Sequence, residues 1–132
     1  MDKQDVLSLS KYRIAKAEEF LKNAILDYDN QKYFGAVNRS YYAIFHSLRA
    51  VLALEEKDLK KHSALIAYFN HQYVKTNIFP NDLYKLIYNA FDIRQASDYE
   101  DFYIISKEEV KEQIENAKYI IQLVKEYLKN FN

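Results

Sequence analysis

Phe34-Gly35-Ala36-Val37-Asn38-Arg39-Ser40-Tyr41-Tyr42-Ala43-Ile44-Phe45-His46-Ser47-Leu48-Arg49-Ala50-Val51-Leu52-Ala53-Leu54 is the stretch on which the fold turns. Val37, Tyr41, Ile44, Phe45, Leu48, Val51 and Leu52 make it apolar nearly all round a helical projection, and a helix of that kind belongs at the centre of a bundle. Arg39 and His46 are seven residues apart within it. That is almost two helical turns, so the two side chains share one face.

Working outward, the residues before this helix alternate at three and four from about Asp5 to Asp29. Ile14, Ala17, Leu21, Ala24, Ile25 and Tyr28 lie on one side, with Lys11, Lys16, Glu18, Glu19 and Lys22 on the other. Asp29-Asn30-Gln31 is a short polar break. After the central helix, Glu55-Glu56-Lys57-Asp58 reads as a charged connector. A third helix is expected from about Leu59 to Lys75, with Leu65, Ile66, Phe69 and Tyr73 inward and Thr76-Asn77 ending it. Pro80 suits the first turn of a fourth helix, because the N–H it lacks has no partner there. Leu83, Leu86, Ile87, Ala90, Phe91 and Arg94 carry that helix to about Asp98. Ser106-Lys107-Glu108-Glu109 has the form of a capping box. Val110, Ile114, Ala117, Ile121, Val124 and Leu128 then repeat at four and three. The expected fold is all-α, an up-and-down antiparallel bundle of four to five helices joined by short loops.

Composition agrees with one helical domain over residues 1–132. Gly35 and Pro80 are the only glycine and the only proline, so few positions can specify hairpin turns. Nineteen basic residues balance nineteen acidic ones, which removes any global field for nucleic acid or an anionic membrane and requires a phosphate site to be local. Without cysteine there is neither disulfide nor thiolate chemistry. No signal-peptide core or membrane-length apolar run is visible, so the expectation is a soluble cytoplasmic protein. Thirteen tyrosines and eight phenylalanines favour self-association or a partner surface.

Arg39 and His46 together suit phosphodiester cleavage without a metal. An imidazole takes the 2′-hydroxyl proton and a guanidinium stabilises the charged phosphorane. Arg49 lies about 80 degrees round the helix from Arg39 and about 60 degrees from His46, near enough to add a phosphate contact. The competing reading pairs Arg39 with an acid and makes His46 a core residue. Arg94 and Asp98, one turn apart, either orient that pair and meet phosphate or form a structural network. Lys60-Lys61-His62-Ser63 opens the third helix, where free amides favour an anion, unless His62 or Ser63 is simply the cap. His71 reads as a surface residue. Glu108, Glu109, Glu112 and Glu115 read as a solvated face at a helix start. No Glu-x-x-His pair, His-Glu-x-x-His motif or glycine-rich phosphate loop is present, so neither metal nor cofactor is expected.

Four pieces now stand in order: Ala36-Val37-Asn38-Arg39-Ser40-Tyr41-Tyr42-Ala43 with Phe45-His46, Lys61-His62-Ser63, Phe69 to Lys75, and Arg94-Gln95-Ala96-Ser97-Asp98-Tyr99. With them the chain resembles a HEPN domain, the helical domain named for higher eukaryotes and prokaryotes nucleotide-binding, from about Ser10 to Leu128. The likeness is to its stand-alone prokaryotic branch, often encoded beside a minimal nucleotidyltransferase in a toxin and antitoxin-like pair. The resemblance implies a bundle that dimerises. In active members an arginine, four to six residues and a histidine form a metal-independent ribonuclease site, a spacing that Arg39 and His46 meet. It also brings Asn38, Tyr42, Arg49, His62, Arg94, Asp98 and Tyr99 forward as binding or orienting residues. Where some toxin members carry a tyrosine two residues after the histidine, this chain has Leu48. The implied partners are RNA or a nucleotide, a nucleotidyltransferase protein and a second copy of the chain. The alternative is a non-catalytic nucleotide- or protein-binding module.

Overall fold

The computed structural model describes residues 1–131. They form α1 (Lys3–Asp29), α2 (Tyr33–Ala53), α3 (His62–Phe69), α4 (Leu83–Tyr99) and α5 (Lys107–Leu128), with a π-helical turn (Asn70–Val74) continuing α3 and a 3-10 turn (Lys129–Phe131) after α5. No strand occurs among the described residues, and the expected all-α bundle is the fold found.

Local chemistry explains where the helices begin. The Asp2 carboxylate caps α1 by accepting from the Asp5 amide at 2.9 Å. Ser106 and Glu109 form the expected capping box at α5, with the Glu109 amide donating to Ser106 Oγ at 3.0 Å and the Ser106 amide donating to Glu109 Oε1 at 3.3 Å. Between α1 and α2 the polar break reverses the chain. Gln31 takes a positive φ of 60°, and the Lys32 amide donates to the Asp27 carbonyl at 2.8 Å. The two helices therefore run antiparallel: Ser10 Oγ donates to the Ala50 carbonyl at 2.8 Å near one end, and Asp27 meets Arg39 near the other.

Two expected boundaries differ. The third helix starts at His62 rather than near Leu59, because the connector stays irregular as far as Lys61. Lys61 is its N-cap residue and makes no side-chain cap bond, so neither His62 nor Ser63 is the cap. The helix then loosens into the π turn, where the Lys75 amide reaches the Asn70 carbonyl at 2.9 Å. Pro80 precedes α4 instead of occupying its first turn. A separate turn comes first, closed by the Leu83 amide on the Pro80 carbonyl at 3.1 Å.

α2 is the central stave, with α1, α4 and α5 packed on it. Tyr41, Ile44, Leu48 and Leu52 are sealed from solvent there, and truncating a side chain such as Leu48 to alanine costs about 2–5 kcal/mol. A smaller apolar cluster of Ala24, Ala36, Val37, Ile105, Val110 and Ile114 closes the end beneath the α4–α5 loop. That loop leaves Phe102 fully exposed at a φ of 60°, with Tyr99 and Ile104 also open to solvent. Among the described residues, no helix is long and apolar enough to cross a membrane.

Candidate functional site

Arg39 and His46 both lie on the side of α2 that meets α1, yet each has its own surroundings. The Arg39 guanidinium reaches back along α2, where Nη1 lies 3.1 Å from Asp27 Oδ2 and 3.5 Å from the Gly35 carbonyl. Gly35 leaves room for this pair, since a Cβ at that position would stand 2.6 Å from Asp27 Oδ2. His46 is 7% exposed, its ring stacked on Phe20 at 5.2 Å and 11° with Tyr42 and Phe45 around it. Seven residues of helical rise, about 10 Å, separate the two positions. The structure thus gives Arg39 a carboxylate and His46 an aromatic sleeve, and no contact joins them.

Burial sets the protonation of His46. Desolvation, reinforced by the cations Lys16, Arg49 and Arg13 and by His62, pushes its pKa down to about 4. The imidazole is neutral at pH 7, and its buried Nδ1 has no hydrogen-bond partner among the described residues.

The side chains that do converge come from α2, α3 and α4. Buried Tyr41 forms a hydrogen bond of 2.8 Å between its hydroxyl and His62 Nδ1, and the half-buried His62 ring lies 4.1 Å from Phe45 and 5.7 Å from Tyr42, centre to centre. From α4, the Arg94 guanidinium stands 5.5 Å from the centres of both the Tyr41 and Tyr42 rings, and its Nη2 donates to the Tyr42 hydroxyl at 3.2 Å. Its Nε is 3.0 Å from Asp98 Oδ2, an ion pair within one helix whose N–H is not aimed at the oxygen. Asp98 therefore partners Arg94 rather than His46 or Arg39. Burial first, then the charges of Arg94 and Arg49, lower the pKa of His62 below its ordinary value. Burial also raises that of Tyr41, so its hydroxyl keeps its proton at neutral pH.

Satisfying the buried hydroxyl proton favours one direction for the Tyr41–His62 bond. A protonated hydroxyl beside a neutral imidazole, with Nδ1 as the only partner its side chain has among the described residues, donates to Nδ1 and leaves the ring proton on Nε2. The site then presents an N–H donor on an aromatic floor that the Arg94 guanidinium also covers.

Arg49 joins from the next turn of α2. It grips Asp58 with two bonds, Nε to Oδ1 at 3.2 Å and Nη2 to Oδ2 at 2.9 Å, and Arg13 adds a third contact at 3.5 Å. A small cavity of about 200 Å³ lies there, lined by Phe45, Arg49, Asp58, Leu59 and Lys60. Asn38 is half-buried beside Arg39, outside the His62 cluster, and Tyr99 is exposed at the end of α4. No group of three or more His, Asp or Glu side chains gathers as metal ligands among the described residues.

Sequence reasoning passed over Tyr41, Asp58 and Asp27 as members of this chemistry. Tyr41 read as core, which it also is, and only its register next to Tyr42 hinted at a polar role. Asp27 and Asp58 fall in the helix end and connector, where an acid ordinarily faces water.

Comparison with known proteins closes the description. The HEPN domain profile matches residues 10–127. "Putative toxin MJ0142" of Methanocaldococcus jannaschii is 33% identical over 115 residues, covering 87% of this chain and 78% of that protein. A "UPF0332 protein" of Thermotoga maritima is 31% identical over 120 residues, 91% of each chain. "Putative toxin MJ0605", also of M. jannaschii, is 32% identical over 113 residues, 86% of this chain and 84% of the other. The chain belongs to the HEPN domain family.

Proposed function

We propose that this chain is a toxin-type HEPN protein that acts on RNA, and that His62 and Arg94, rather than Arg39 and His46, engage the phosphodiester. One observation carries the reading: a half-buried imidazole hydrogen-bonded to Tyr41 and packed on Phe45 and Tyr42, with the Arg94 guanidinium over the same two tyrosine rings. An N–H donor beside fixed positive charge suits a phosphate oxygen, and the half-buried Tyr42 ring suits an unstacked base. Support for the RNA target comes from the family, and support for the toxin role from the names of the two M. jannaschii relatives.

Binding is the activity that the resting tautomer favours, because His62 Nε2 carries its proton. Cleavage is the second reading, favoured by the lowered pKa that keeps the imidazole neutral. If the Tyr41 hydroxyl turns to accept from Nδ1–H, Nε2 becomes a base for the 2′-hydroxyl. The new 2′ O–P bond then forms as the 5′ O–P bond breaks, Arg94 faces the phosphorane charge, and solvent protonates the departing 5′-oxygen. In the cell the protein would act as a homodimer restrained by a nucleotidyltransferase partner.

The test is a labelled single-stranded RNA, with affinity read by anisotropy and cleavage read on a gel in excess chelator. His62→Ala and Arg94→Gln should each weaken binding about tenfold with helicity intact. Unchanged affinity in both would remove the proposal. Cleavage by the wild type that is lost in His62→Ala selects the catalytic reading, and binding without cleavage selects the module.

A further inference from the structure

Between α4 and α5 the side chains alternate between solvent and core. Phe102 is 100% exposed and Ile104 85% exposed, whereas Tyr103 and Ile105 pack into the apolar cluster beneath them. Alternation of this kind is the period of an extended chain, and Ser106, which follows, is itself extended with a ψ of 155°. No amide from Asp101 to Ile105 donates to a backbone carbonyl among the described residues. The bundle therefore carries a strand-like segment with an apolar outer face and unpaired amides.

Packing does not account for Phe102. Its φ of 60° lies in the left-handed region, uncommon for a bulky residue and easy for glycine, and its ring buries no surface of its own. A large apolar side chain on strained, open backbone marks a contact made with another molecule. Charge narrows what that molecule is. Residues 98–106 hold three acids, Asp98, Glu100 and Asp101, and no base. Asp98 is held by Arg94, while Glu100 and Asp101 are exposed and belong to no ion pair among the described residues. Such a segment repels RNA and an anionic bilayer. A second copy would bring another set of the same carboxylates into one contact.

We propose that the segment between α4 and α5 is a docking strand for the sheet edge of a different, basic protein. An edge strand presents a row of unpaired N–H and C=O groups, which the free amides between Asp101 and Ile105 complement. Phe102 and Ile104 enter apolar pockets of the partner and set the register, because alternate side chains give such contacts their specificity. Lysine or arginine of the partner stands opposite Glu100 and Asp101, which speeds encounter and rejects acidic competitors. A strand already fixed in a sheet loses less freedom on pairing than a free peptide does. The assignment does not rest on the His62 site.

The test pans the whole chain against a phage library of disulfide-closed β-hairpins with randomised strand residues, then titrates the strongest hairpin by fluorescence anisotropy. Its strand should alternate apolar with basic residues. Phe102→Gly and Ile104→Ser should each weaken it about tenfold, and Glu100→Lys with Asp101→Lys should weaken it and remove its salt dependence. Methylating one alternate set of its outer amides should abolish binding, and methylating the other should spare it. Both side chains are exposed and Phe102→Gly relaxes the backbone, so helicity and melting should stay at the wild-type level. A selection that yields no hairpin, a hairpin that binds Phe102→Gly as well as wild type, or a methylation series without alternation would each overturn the assignment. Wild-type self-association in sedimentation that Phe102→Gly abolishes would give the segment to a second copy. Loss of affinity for single-stranded RNA or for phosphatidylglycerol vesicles in that variant would give it to those ligands, and each of these results also removes the basic partner.

Discussion

The hydroxyl of Tyr41 and Nδ1 of His62 lie 2.8 Å apart, which ties a sealed residue of the central helix to the first residue of α3. Because Tyr41 is 1% exposed, its position is set by the core, and the imidazole inherits that order. Tyr41→Phe should cost about 1 kcal/mol of stability and weaken RNA binding about fivefold. In a His62→Ala background the same change should have no further effect on binding. An additive loss in the double variant would show that the hydroxyl acts elsewhere.

His46 makes stability depend on pH. Its folded pKa of about 4 lies below the unfolded value of about 6.5, so the fold favours the neutral ring. The contribution is complete above pH 6.5 and is lost as pH falls from there toward 4, where folded and unfolded chains both bind the proton. His62 shifts in the same direction and adds to the same window. Thermal melts at pH 7 and pH 5 should show a smaller acid-induced drop in His46→Phe than in the wild type, because the phenyl ring retains the stack on Phe20 without titrating.

The Arg39–Asp27 pair is half open to solvent, so Arg39→Ala should lose no more than about 1 kcal/mol. RNA affinity should change by less than about twofold, since the guanidinium faces α1 and not the His62 cluster. A tenfold loss would return Arg39 to the site. Gly35→Ala gains up to about 1 kcal/mol of helix propensity but drives a methyl against Asp27. The Asp27–Arg39 coupling measured in a double-mutant cycle should therefore shrink in the Gly35→Ala background.

Asp58 holds two arginines at once, and its hydrogen bonds from Arg49 keep its carboxyl below the usual carboxylate range despite partial burial. That stabilisation is present above about pH 4 and is lost as pH falls below it. Asp58→Asn should lower stability modestly at pH 7. It should also release Arg13 and Arg49 for phosphate, tightening RNA binding and steepening its salt dependence by about one unit of slope. Unchanged slope would mean that neither guanidinium turns toward RNA.

Some of this was legible in the sequence. The all-apolar character of Phe34 to Leu54 identified the central stave, and Ser106 with Glu109 marked the start of α5, because those signals are local. The π turn was not legible, since Asn70 to Val74 keep an ordinary helical pattern and the change of pitch arises in tertiary packing. Arg39 and His46 show what spacing omits. Their common face was correctly read, but periodicity measures angle and not depth, and that face packs against Phe20 and Asp27 of α1. His62, Tyr41 and Arg94 come from three separate helices, so no spacing rule could bring them together. The family-like pieces around each residue were the only signal.

Phe102 stands wholly outside the bundle on a left-handed kink between α4 and α5. A protease that prefers aromatic residues would cut the native chain there first, well before global unfolding. The nicked protein should hold its shape, because α5 stays clamped against α1 and α2 without a covalent tether. The same hinge is thus a natural point at which to split the polypeptide into two complementing fragments.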